Sequence, residues 1–97
     1  MRAVHLSDLN VAVRTLMAVR ANERAFEFER LLDQAQTADK YRKRTGRAHF
    51  SYGNGTLGAA CQAHAKRPMP DRCDPEYLSC METVIRGLLA RRVDLTA

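Results

Sequence analysis

The sequence predicts an all-α fold: a small bundle of three to four helices with one long helix and a strongly amphipathic C-terminal helix. Three observations carry this prediction. The apolar residues are mainly Leu, Val, Ala and Met, with no Trp and only three Phe and three Tyr, a balance that favours helices over strands. The run Glu23 to Arg44 contains neither Gly nor Pro. Between the turn signals, apolar residues recur at three- and four-residue spacing. At 97 residues the chain makes one domain, 1–97, whose core is thin enough that association with further copies is expected to add stability.

Taken in order, Ser7 is suited to cap a first helix, with Leu6 packing on Val11 as a hydrophobic staple. That helix should begin near Asp8, place Leu9, Ala12, Val13, Leu16 and Met17 on one face, and stop near Arg20. His5, just ahead of it, reads as a surface or capping histidine rather than a catalytic one. Asn22 is the next cap candidate. The long helix that follows carries a stripe of Phe28, Leu31, Leu32, Ala35 and Ala38 and should extend roughly 33 Å at about 1.5 Å per residue. Its acids, Glu23, Glu27, Glu29 and Asp33, gather toward the N-terminus and its bases toward the C-terminus, as the helix dipole favours. Phe26 lies off the stripe and, with Leu31 and Leu32, is the expected contact to a second subunit.

Gly46 is the natural residue after the last helical turn. Beyond it, Gly53 and Asn54-Gly55 supply left-handed positions for a tight turn, and Thr56 can cap a short helix from Leu57 to about His64. Gly58, Ala59 and Ala60 would let that helix approach its neighbours closely. This arrangement holds His49 and Tyr52 between two helix ends. Lys66 to Asp74 is a connector, because Pro68 and Pro70 cannot continue a helix. Asp74-Pro75-Glu76 is the clearest helix start in the chain: an acidic N-cap, Pro at the first helical position and an acid in the first turn. Tyr77, Leu78, Met81, Val84, Ile85, Leu88 and Leu89 then follow with helical spacing, which marks this segment as the expected centre of the core. Gly87 implies a close neighbour, and Arg91 and Arg92 suit the negative end of the helix. The chain has no internal repeat, low-complexity tract or long linker.

Sixteen Lys and Arg against eleven Asp and Glu leave a formal charge of +5, which favours an anionic partner or a solvated surface. The distribution is more informative. Lys40, Arg42, Lys43, Arg44 and Arg47 fall within eight residues that contain no acid, dense enough to track a phosphate backbone, with Tyr41, His49 and Tyr52 nearby for stacking or phosphate bonds. The bland alternative is a solvated helix end that answers its dipole. The candidate nucleic-acid-binding residues are therefore Lys40, Arg42, Lys43, Arg44, Arg47 and His49.

Other chemistry finds weaker support. Three cysteines, with no apolar run long enough for a signal peptide, suit a cytoplasmic protein with reduced thiols. No segment approaches the apolar length of a membrane span. Cys61 and His64 form one pair with metal-ligand spacing, but Cys73 and Cys80 are too far apart to form the second, so the thiols read as small hydrophobes and neither metal nor cofactor is expected. A Cys61–His49 nucleophilic pair has no third group to orient it, and Gly53-Asn-Gly55-Thr-Leu-Gly58 lacks the lysine and preceding strand of a phosphate loop. An enzyme is not expected. No two short helices joined by a tight turn lead into a polar recognition helix, which argues against a helix-turn-helix.

The run Arg42-Lys-Arg-Thr-Gly-Arg-Ala-His49, then Tyr52-Gly-Asn-Gly-Thr-Leu57, together with Met1 to Asp8 and Asp74 to Tyr77, resembles a family of short bacterial proteins with no established chemistry and, with it, the small terminase subunit of phage-like gene transfer agents. The resemblance implies a helical, ring-forming, DNA-binding adaptor that hands DNA to a large terminase, a motor with ATPase and nuclease activities. The missing N-terminal helix-turn-helix departs from the phage pattern and suits packaging with little sequence preference. The expected function is thus a non-enzymatic DNA-packaging adaptor, homo-oligomeric, partnered by DNA and a large terminase subunit. The rival is a small cytoplasmic regulator whose basic loop meets an acidic protein.

Overall fold

The expected helices are present in the computed structural model, which describes the backbone of residues 1–96 and the side chains through Arg92. Four α-helices follow in order: α1, Leu6–Met17; α2, Arg24–Thr45, entered through a single 3-10 turn at Ala21–Glu23; α3, Leu57–Ala60; and α4, Pro75–Thr96. Among the described residues there is no strand, only an isolated antiparallel bridge between His49 and Gly53. No described helix is long and apolar enough to cross a membrane.

The start of α1 differs from the sequence expectation. His5 occupies the N-cap, and its backbone N–H donates to Asp8 Oδ2 at 2.9 Å. The other oxygen of the same carboxylate, Oδ1, accepts from the backbone N–H of Gly58 at 3.0 Å, inside the first turn of α3. A two-oxygen acceptor serves two helix starts at once, which the Ser7 hydroxyl could not do. Leu6 is 71 % exposed, so it forms no staple. α1 also ends sooner than expected, at Met17. There Arg24 Nε donates to the carbonyls of Leu16 and Val19, at 2.9 and 3.0 Å, and its Nη2 reaches Glu76 Oε1 at 2.9 Å. One largely buried guanidinium thus ties the end of α1 to the starts of α2 and α4.

The core lies where α1, α2 and α4 meet. It contains Ala12, Val13, Leu16 and Met17 of α1, Phe28, Leu31 and Leu32 of α2, Tyr77, Cys80 and Val84 of α4, and Leu57 and Cys61 from the α3 region. Leu31 and Leu32 are 0 % and 1 % exposed, which removes them from the expected subunit interface. Their spacing from Phe28 puts all three on one face of α2, and the protein's own core covers that face. Phe26, two residues earlier, points the opposite way and is 70 % exposed.

The apolar positions of α4 do not form one buried face either. Tyr77, Cys80 and Val84 turn inward, whereas Leu78, Ile85 and Leu89 are exposed. The apolar arc of α4 is wider than α1 and α2 can cover. Gly87 marks the closest approach expected of it: a Cβ built there would meet Phe28 Cδ2 at 2.5 Å. Two helix-boundary signals read from sequence hold, one ending α2 and one starting α4. Gly46 ends α2 in the left-handed region, φ 74°, with its N–H donating to Arg42 O at 2.7 Å. Asp74 Oδ1 caps α4 by accepting from the N–H groups of Glu76 and Tyr77 at 2.9 and 3.1 Å.

Candidate nucleic-acid interface

The C-terminal half of α2 delivers the basic cluster to one end of the molecule, and the loop after Gly46 folds back beside it. The fold-back rests on close packing that only glycine allows. Gly55, at φ 98°, lies so near α2 that a Cβ would stand 2.9 Å from Asp39 Cα, and Gly53, at φ 85°, would place one 2.6 Å from Ala59 Cβ. Asn54 Oδ1 accepts from both the N–H and the hydroxyl of Thr56, and Thr56 Oγ1 accepts from Ala59 N–H at 3.1 Å, which sets the entry to α3. That helix is shorter than expected, ending at Ala60 rather than near His64.

Within this loop, His49 and Gly53 exchange two backbone hydrogen bonds, His49 N–H to Gly53 O at 2.7 Å and Gly53 N–H to His49 O at 3.0 Å. The His49 ring fills the turn they close. Its Nδ1 accepts from the N–H groups of Ser51 and Tyr52, at 3.0 and 3.2 Å, which fixes the ring in orientation. Phe50 stacks on His49 with centroids 4.8 Å apart and planes 14° from parallel, and Tyr52 stacks at 4.7 Å and 6°. Two near-parallel rings this close cannot share one face of an imidazole. His49 is therefore the middle layer of a three-ring stack. Tyr41 of α2 meets its edge at 5.2 Å and 74°, and the Arg44 guanidinium lies 5.9 Å from the Tyr41 ring centroid.

The cations around this stack divide into two kinds. Lys43 is bound to Asp39, Nζ to Oδ2 at 3.1 Å, and the Met1 amino group reaches the same oxygen at 3.1 Å. Burial pushes the Asp39 carboxyl upward, but Lys43 and the Met1 ammonium outweigh it and hold the carboxyl below its usual range. Lys40, Arg44 and Arg47 are exposed and Arg42 half-buried, and among the described residues none of the four has an ion-pair partner. No Asp or Glu occurs anywhere between Asp39 and Asp71. The end of α2 is a positive surface with an aromatic stack beside it.

Of the residues read from sequence, Lys40, Arg42, Lys43, Arg44, Arg47 and His49 fall in one region. Lys43 differs from the rest in being tied to a buried acid. Phe50 was assigned no role from sequence, although an aromatic side chain beside a histidine in a glycine-bounded turn was the available signal. His49 is not brought to Cys61: its ring belongs to the stack, while Cys61 sits in the core. Cys61 and Cys80 are buried, and burial pushes both thiols up, whereas Cys73 is exposed. Among the described residues no three His, Cys, Asp or Glu side chains gather as a ligand set.

Residues 2–88 match the model of a domain of unknown function, DUF7742. No curated protein and no solved structure matches the chain. With the match spanning nearly all of the bundle and the whole of its basic end, the chain belongs to the DUF7742 family.

Proposed function

We propose that this protein is a non-enzymatic DNA-packaging adaptor of small-terminase type, which binds DNA with little sequence preference, assembles with further copies of itself and recruits a large terminase in the cytoplasm. The observation that carries the DNA-binding part is the positive end of α2, where Lys40 and Arg44 share one exposed face, Arg42 lies on another face, Arg47 follows in the loop, and none of the four has an ion-pair partner among the described residues. A cluster of that kind neutralises phosphates without reading bases. Assembly is supported by what the chain leaves uncovered. Leu78, Ile85 and Leu89 form an exposed apolar stripe on α4, bordered by Glu82 and Arg86. Antiparallel pairing of two such helices sets the Glu82 of each against the Arg86 of the other, so the occupant that fits is a second copy of this chain.

The test is the Arg42→Ala, Arg44→Ala, Arg47→Ala variant, titrated with duplex DNA at several salt concentrations. Lys43 stays in place because removing it would expose the charge of Asp39 to a stability loss unrelated to DNA. Each lost phosphate contact reduces the salt slope by about 0.9, so the variant should bind all sequences alike, more weakly, with a slope lower by roughly 2–3 units and an unchanged melting temperature. Equal binding by parent and variant would leave the cluster as a helix end answering its dipole. An acidic protein partner would then be the better reading.

A further inference from the structure

We propose that the outer face of Phe50 is a stacking site for an unpaired nucleobase, so that the nucleic-acid ligand of this surface is single-stranded DNA in preference to duplex. This rests on the DNA-binding reading above and specifies its ligand. Phe50 is 92 % exposed, although it is a large apolar side chain in a loop whose other aromatic residues are packed. A mobile ring at that exposure would be unremarkable. This one lies on His49, which lies on Tyr52, and the paired His49–Gly53 backbone bonds with the two N–H groups that His49 Nδ1 accepts fix the imidazole on which it rests. The His49 contact favours one placement of the ring, which lowers the cost of stacking on it. The stack ends in an open face. The next layer is absent from the chain itself.

The chemistry around the face selects the occupant. A base alone could be replaced by any flat apolar group, but Lys40, Arg44 and Arg47 present positive charge on the same end of the molecule and no acid lies in the segment. Flat, π-faced groups joined by a polyanion are what a single strand offers and what a duplex withholds, since its bases are already stacked on each other. Every base has a π-face, so the site tolerates sequence, in keeping with a cluster that reads only phosphate.

The experiment compares an oligothymidylate of about twenty nucleotides, long enough to span the roughly 4–16 nucleotide sites typical of such proteins, with an abasic deoxyribose-phosphate strand of equal length and with a duplex of equal phosphate count. Fluorescence anisotropy is measured for the parent, Phe50→Ala, Phe50→Trp and the three-arginine variant. The parent should prefer oligothymidylate over both other ligands. Phe50→Ala should weaken oligothymidylate binding about 5- to 150-fold, leave the abasic strand and the duplex unaffected, and keep the salt slope, because a base contact and no phosphate contact is lost. Phe50→Trp should restore the affinity. Since Phe50 is exposed, the variants should melt with the parent, which circular dichroism checks. If Phe50→Ala binds oligothymidylate as the parent does, or the abasic strand binds equally well, the stacking site is refuted while phosphate binding stands. If no ligand responds to the loss of the three arginines, the DNA-binding reading itself is refuted.

Discussion

Gly87→Ala is the sharpest test of how α2 and α4 fit together. On an isolated helix the substitution is favourable by about 1 kcal/mol, because glycine carries the larger backbone entropy cost. Here the added methyl would stand 2.5 and 2.6 Å from Cδ2 and Cε2 of Phe28. Carbon atoms in contact sit about 3.5–4.0 Å apart, so the helices must separate by roughly 1 Å or the ring must turn. Phe28 is 1 % exposed and belongs to the central cluster with Leu31, Leu32 and Val84, which leaves it no open space to enter. Overpacking of this kind costs about 1–3 kcal/mol, which outweighs the propensity gain at most of that range. The net loss, up to about 2 kcal/mol, corresponds to a melting temperature lower by up to about 16 °C in a domain of this size. The assay is thermal and urea denaturation at one fixed protein concentration, since self-association would make the midpoint depend on concentration. Adding Phe28→Leu supplies the control: it is destabilising alone, yet it should recover part of the Gly87→Ala loss, a coupling that only contacting residues show. Gly87→Ala at or above the parent's stability would refute the close α2–α4 contact.

Three further outcomes follow from the same geometry. Asp39→Asn should lower the melting temperature at neutral pH: the folded carboxyl titrates below its usual value near 3.8, so its stabilisation is fully present above that value and is lost as pH falls through the folded one. Melting curves of parent and variant should converge in acid, and a gap that persists there would show that the loss is one of packing. Asp8→Ala removes the acceptor for His5 N–H and Gly58 N–H together and should cost about 2 kcal/mol by urea denaturation, with Asp8→Asn recovering part of it; a neutral Asp8→Ala would mean that water replaces both bonds. Replacing Leu78, Ile85 and Leu89 by Ser should reduce the mass measured by light scattering without loss of helical signal, and an unchanged mass would place the contact between copies elsewhere.

Local chemistry alone determined the helical class and the two sharpest boundaries. Gly46 and Asp74-Pro75 act through their own backbones and near neighbours: a left-handed residue ends a helix, and a short acid followed by proline starts one, whatever surrounds them. The basic cluster was legible for a similar reason, since five cations within eight residues at the end of a helix remain together however the helix is packed. Tertiary structure decided the rest. Helical periodicity says that Leu31 and Leu32 share a face but not which neighbour covers it, and that neighbour proved to be the chain itself, leaving Phe26 and the outer stripe of α4 uncovered. Asp8 rather than Ser7 directs the start of α1, because its second oxygen finds Gly58, fifty residues along the chain. Lys43 looks identical to Arg44 in sequence, yet the buried Asp39 carboxylate claims it. Phe50 becomes the end of a stack only because two glycines let the loop lie against α2 and α3, bringing Tyr41, Phe50 and Tyr52 around the His49 imidazole. Those contacts join residues that no local pattern relates, and the close packing that creates them is a property of the folded chain.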